Sequence, residues 1–306
     1  MEAVLEGKIW RERPQQTSNT LSQDAPADRL PFRPADSFVA VDSREWEVHD
    51  EWATDPSRSS GSSVLPSVLQ QARAVLEGRE SEFFMTSPQI QIVEQPVTVT
   101  SENIALDGFL GIPPSATGIV LFAHGSGSGR FSPRNRFVAH HLQQGGIASL
   151  LIDLLLTDEA EDRRNVFDID LLADRVLMAS AWLREGARTK QLPLGYFGAS
   201  TGAGAALQAA ARAPFPVGAI VSRGGRPDLA ERYLPQVTAP TLLLIGSYDE
   251  PVIEMNHAAY RLLRCPKQLT IIPGATHLFE EPGTLEQVAE QALRWFQQHF
   301  APKGKD

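Results

Sequence analysis

Cysteine is almost missing from this chain of 306 residues: Cys265 stands alone, so no disulfide can form within the chain and a reducing compartment is expected. Long apolar runs are missing as well. Residues 1–20, MEAVLEGKIWRERPQQTSNT, hold no apolar stretch of signal-peptide length, and no run elsewhere is long enough to cross a membrane. Basic residues are in deficit. The 28 Lys and Arg face 37 Asp and Glu, a formal net charge of −9, which disfavours a general nucleic-acid surface. No set of His, Cys, Asp and Glu shows metal-ligand spacing, and His140 and His141, neighbours on an expected helix, point different ways. The glycines at 125, 127 and 129 fit neither G-x-G-x-x-G nor a P-loop, because no Gly-Lys-Ser/Thr follows them. A soluble, cytoplasmic protein without cofactor or metal is the expectation, with no membrane and no nucleic acid among its partners.

What the chain does have is apolar material, 42% of its residues against 21% charged, enough for a substantial core. It is unevenly arranged. Residues 1–84 carry prolines at 14, 26, 31, 34, 56 and 66 and the run SRSSGSS at 57–63, with neither strand–helix alternation nor a repeat. This composition reads as an extension, partly disordered or packed on the main domain or a partner subunit. Trp46 and Trp52 within DSREWEVHDEW call for an apolar surface to cover, so a homo-oligomer formed through the extension is one expectation. Residues 85–306 read as one catalytic-sized domain, starting at Met85.

From residue 89 the pattern turns regular. IQIVEQPVTVT and IALDGFLGIP read as a hairpin. They are followed by apolar runs at 118–124, 147–153, 193–199, 217–223, 241–246 and 268–274. Continuous apolar runs are buried on both faces, as strands of a parallel sheet are. Between them lie amphipathic segments, among them one in which Ile169, Leu172, Val176 and Leu183 share a stripe. The fold class is therefore α/β, a mostly parallel central sheet with helices on both faces.

In such a sheet the residues just after each strand form the binding edge. Gly198-Ala199-Ser200-Thr201-Gly202 lies between a strand and an alanine-rich helix, the context in which G-x-S-x-G presents a nucleophilic serine on a tight turn. A serine hydroxyl needs a base, and the base an orienting group. Of seven histidines, only His277 directly follows the last strand, and Asp249 follows the strand before it. Glu254 is a weaker rival for the acid, and Glu280 and Glu281 read as a solvated pair. The catalytic candidates are thus Ser200, Asp249 and His277. The backbone N–H groups of Ser126, in FAHGSGSGR after the first long parallel strand, and of Thr201 are the candidate oxyanion donors, with Gly125 close behind Ser126. His124 reads as a residue that shapes this turn.

With these residues in view, the segment from about 89 to 300 resembles the dienelactone hydrolase-like branch of the α/β-hydrolase superfamily. The resemblance rests on FAHGSGSGRFSPRNRFVAHHL, VFDIDLLADRV, YFGASTGAGAAL, SRGGRPDLA and PGATHLFEEPG. It is similar in particular to hydrolase domains that are sometimes fused to a phosphoribosyltransferase domain, for which residues 1–84 are too short. The resemblance implies the α/β-hydrolase fold and a serine carboxylester hydrolase using Ser200, Asp249 and His277. In one respect the chain departs from that pattern: dienelactone hydrolases carry cysteine as nucleophile, so Ser200 argues against dienelactone itself as substrate.

Only 17 residues, 224–240, separate the strand at 217–223 from the next, so no cap domain fits there. Arg130, Arg134, Arg136, Arg163, Arg164, Arg223 and Arg226 all follow strands on the binding edge, and in an acidic chain they point to a small or anionic ester, with Arg130 and Arg223 as candidate substrate contacts. Two other functions share these residues. One is acyl transfer to an acceptor other than water; the other is a non-catalytic binding protein derived from a hydrolase.

Overall fold

The computed structural model describes residues 92–101 and 103–301, all within a unit that spans Val75–Asp306. The expected extension, with Trp46, Trp52 and the boundary at Met85, lies outside the described residues.

An eight-stranded sheet in the order β1-β2-β4-β3-β5-β6-β7-β8 forms the centre. β1 (Glu94–Ser101) and β2 (Ile104–Gly111) make the expected hairpin, with Glu94 opposite Gly111 and Ser101 opposite Ile104. β2 joins β4 (Ala148–Ile152) antiparallel, Gly108 facing Ile152. From there the sheet is parallel through β3 (Ile119–Ala123), β5 (Leu194–Ala199), β6 (Ala219–Arg223), β7 (Thr241–Gly246) and β8 (Lys267–Ile272). Every residue of β3 to β7 is buried, while β8, at the sheet edge, is largely half-buried. Apolar residues on both sides of a strand are stable only when helices cover both faces.

Helices do cover both. On one face α1 (Pro133–Gln144) and α7 (Thr284–Phe300) bring Val138, Leu142, Val288 and Phe296 against Phe122, Phe197 and Leu244. On the other, α4 (Ile169–Glu185), α5 (Thr201–Arg212) and α6 (Glu250–Leu262) pack Leu172, Val176, Leu207 and Val252 against Leu121, Tyr196 and Leu243. Alternate residues of one strand thus feed two cores. The Tyr196 hydroxyl meets its buried position by bonding Ser180 Oγ at 2.8 Å, and burial pushes its pKa up to about 12.

Two short helices, α2 (Thr157–Glu161) and α3 (Arg163–Val166), follow β4. They are too short for periodicity in the sequence to mark them. Between β6 and β7 lies only a 3-10 segment, Pro227–Gln236, kinked at Ala230, as the 17-residue spacing requires.

Candidate active site

Ser200 follows β5 and begins α5 with φ 51° and ψ −123°, a conformation that side chains rarely tolerate. The surroundings enforce it. Its N–H donates to the Arg223 carbonyl of β6 at 3.2 Å, and its own carbonyl accepts from Ala203 and Arg226 at 3.1 and 3.0 Å. A Cβ on Gly198 would overlap the backbone of Ala203, and one on Gly202 would overlap the carbonyl oxygens of Ala123 and His124. The two flanking glycines therefore let strand and helix close around a turn that holds the serine outward, strain retained because its neighbours over-determine it.

His277, in the loop after β8, faces Ser200 with Nε2 3.3 Å from Oγ, and its Nδ1 lies 2.6 Å from Asp249 Oδ2. Asp249 occupies the N-cap position of α6 without capping it, because its carboxylate is turned to the imidazole instead. The loops that carry these groups are fastened together. Tyr248 N–H donates to the Ala275 carbonyl and Gly274 N–H to Ser247 Oγ, both at 2.9 Å. On the far side Gly224 adopts φ +50°, a conformation that favours glycine, and a Cβ there would stand 3.2 Å from the His277 carbonyl oxygen. The rival acid Glu254 is exposed on α6. Glu280 and Glu281 serve the His277 loop: Glu280 pairs with Arg134 at 2.7 Å, and Glu281 accepts from Thr276 N–H at 3.1 Å. The structure thus brings Ser200, His277 and Asp249 into one hydrogen-bonded chain. Gly224 and the loop fastening were missed from sequence, although the Gly224-Gly225 pair directly after a strand was a signal.

The candidate donor Ser126 lies in the loop after β3. His124 is buried, and burial lowers its pKa. Its Nε2 stands 3.0 Å from the Leu154 backbone nitrogen, and because that N–H can only donate, Nε2 accepts and the ring proton sits on Nδ1. Nδ1 in turn donates to the Gly125 carbonyl at 2.9 Å. Gly125 C=O and Ser126 N–H belong to one planar peptide and point opposite ways, so His124 aims the Ser126 N–H. The Thr201 N–H, first of its helix, has no intrahelical acceptor. Both donors border a cavity of about 630 Å³, opened by the Gly-rich loop on one side and by Asp153, Leu155, Ala160, Val166 and Leu172 on others.

The arginines are mostly committed. Arg130 binds Asp153 through both its backbone and its guanidinium, reaches Asp107 at 3.3 Å, and lies over the Phe131 ring. Its charge is thereby occupied, which removes the reason for expecting it to face an anionic substrate. Arg134, Arg136, Arg164 and Arg226 pair with Glu280, Glu94, Asp162 and Asp228. Arg223 differs. It is only 7% exposed, lies over the Phe279 ring, and leaves Nε and Nη1 without partners. Burial brings its pKa down to about 10. Among the described residues no group of three or more His, Cys, Asp or Glu could hold a metal ion, and no helix is long and apolar enough to cross a membrane.

No family model matches the chain. Two curated proteins, from two strains of Mycobacterium tuberculosis and both named as phosphoribosyl transferases, are 53% identical to it over 216 residues, 71% of this chain. The chain spans only 47% of their length. An esterase from Pyrococcus furiosus shares the fold at 16% identity and TM-score 0.56, with 69% of this chain and 93% of that one aligned. The solved structure of a dienelactone hydrolase from Anabaena variabilis is 57% identical, covers 68% of this chain and 99% of its own, and superposes with a TM-score of 0.67. Identity at that level over the whole of a solved member, on the same mostly parallel sheet, means that this chain belongs to the dienelactone hydrolase family of α/β-hydrolases.

Proposed function

We propose that the protein is a serine hydrolase that cleaves carboxylic esters through an acyl-serine intermediate. One observation carries the reading: Ser200 is held in a strained outward turn with its hydroxyl 3.3 Å from His277 Nε2, while His277 Nδ1 is 2.6 Å from Asp249. A free serine hydroxyl is a weak nucleophile, and this chain supplies the base and the group that orients it. Oγ attacks the ester carbonyl carbon as its proton passes to Nε2. The carbonyl oxygen becomes an oxyanion facing the N–H groups of Ser126 and Thr201. Collapse breaks the ester C–O bond, and the Nε2 proton leaves with the alcohol. Water then gives its proton to His277 and attacks the acyl-serine, releasing the acid and restoring Ser200. Asp249 keeps the imidazole in the tautomer with Nε2 unprotonated and stabilises the imidazolium in between. A separation of 3.3 Å is long for this hydrogen bond, as is common without substrate.

Because the arginines at the edge are largely paired, the proposal does not rest on attraction of an anionic ester. Hydrolysis is measured with a panel of carboxylic esters, and the acyl adduct of Ser200 is sought by mass spectrometry under rapid quench. Ser200→Ala should lower kcat by about three orders of magnitude or more, since the residues of such a chain act as a unit. Retention of more than a tenth of the wild-type rate would overturn the assignment.

A further inference from the structure

The geometry points to an acyl-side specificity pocket: the cavity over the ends of β3 and β4 takes the acid portion of the ester and selects acyl groups of six or more carbons, while the alcohol portion stays at the solvent-facing edge. This rests on the serine hydrolase reading and deepens it.

The sheet order supplies the direction. Ser200 sits at the end of β5, with β3 and β4 on one side and β6, β7 and β8 on the other. His277 and Asp249 come from the β8 and β7 side. The leaving oxygen must approach His277 Nε2, because that nitrogen returns its proton, so the alcohol lies toward β7 and β8. The oxyanion faces the Ser126 and Thr201 N–H groups. The fourth substituent of the tetrahedral carbon, the acyl chain, is then left to run past those donors toward β3 and β4. A cavity of about 630 Å³ opens there, bordered by Ser126 and Thr201 on either side of the serine; Leu155, Ala160, Val166 and Leu172 share its wall with Asp153, Arg134 and Thr157, and Ser200, His277 and Asp249 lie outside its lining. That volume suits a small-molecule site, and an acetyl group would leave most of it unfilled. On the alcohol side the side chains beside the reacting groups, Tyr248 next to Asp249 and Leu278 next to His277, are 70% and 40% exposed. They offer a surface rather than an enclosure, so the alcohol contributes little discrimination.

The test uses the full chain and two series of neutral esters: p-nitrophenyl acetate to octanoate, and acetates of alcohols graded over the same lengths. Each methylene buried on the acyl side should raise kcat/KM about twofold to fourfold, so hexanoate should exceed acetate at least tenfold, while the alcohol series, compared at matched leaving-group pKa, stays within about threefold. Val166→Trp, at a half-buried position, and Ala160→Trp, at an exposed position on the rim, should each reduce the hexanoate-to-acetate ratio at least tenfold, and circular dichroism and melting curves check that both variants fold. Tyr248→Ala should leave that ratio as it is. A flat acyl series, a steep alcohol series, or folded tryptophan variants with an unchanged ratio would overturn the pocket while leaving the hydrolase reading intact. Failure of wild type on every ester, with no Ser200 adduct, would overturn both.

Discussion

His124 offers the sharpest check on how the fold aims its chemistry. Replacing it with alanine removes the acceptor for Leu154 N–H and the donor to the Gly125 carbonyl, both at buried positions. Each buried group left unpaired costs about 1–3 kcal/mol, so His124→Ala should destabilise by about 2–6 kcal/mol. In a domain near 200 residues that corresponds to a Tm lowered by roughly 4–24 °C. The second effect is on rate. With the Gly125–Ser126 peptide free to rotate, one of the two proposed oxyanion donors is lost, and loss of one such donor costs about 10²–10³ in kcat. The assay is kcat and KM on one neutral ester, measured well below the variant's Tm and normalised to titrated Ser200. The expected result is a fall in kcat of at least tenfold with KM changed little. His124→Gln, whose amide can donate and accept in similar directions, should restore part of both losses. Acid adds a third reading. Burial holds the folded pKa of His124 below its ordinary 6.5, so the unfolded chain binds a proton there that the folded chain does not. Stability from this group is complete above about pH 6.5 and falls as the pH drops below it, and His124→Gln should flatten that fall. A variant His124→Ala with kcat within twofold of wild type would refute the peptide-aiming role, whatever its Tm.

Ser200→Gly should abolish hydrolysis yet raise stability, because a side chain at φ 51° and ψ −123° costs about 1–3 kcal/mol and glycine does not pay it. After the entropy of the extra glycine is deducted, a Tm rise of a few degrees over Ser200→Ala is expected by calorimetry, and a lower Tm would contradict the strain. Asp249→Asn should reduce kcat about 10²-fold or more by favouring the wrong tautomer, whereas Glu254→Gln, on the exposed face of α6, should stay within twofold in the same ester assay. Arg223→Met should be neutral or stabilising by up to about 2 kcal/mol, because it replaces a buried guanidinium without a carboxylate partner by an apolar chain of similar length. A marked loss of stability in urea unfolding would mean that the charge is compensated after all.

The sequence by itself determined the layers of this fold. Runs such as IVLFA, and LLLIG within β7, have no polar side chain, which only a strand covered on both faces can use, and the stripe through Leu172, Val176 and Leu183 has the period of a helix lying on a sheet. The candidate residues were legible for a related reason: each directly follows a strand, and in a parallel sheet all such ends share one edge. Contacts between distant parts of the chain were not legible. Whether Arg134 is free or paired depends on Glu280, 146 positions away, and Arg130 and Arg136 on that edge are likewise paired with the distant Asp153 and Glu94. The tautomer of His124 depends on the Leu154 N–H at the end of the neighbouring strand, and the backbone of the His277 loop passes close to Gly224 at the end of another. The cavity, too, exists only where the loops after β3 and β4 meet the start of α4. Local pattern encodes what a segment buries, and only the packed chain decides which charge meets which carboxylate and which peptide plane is held.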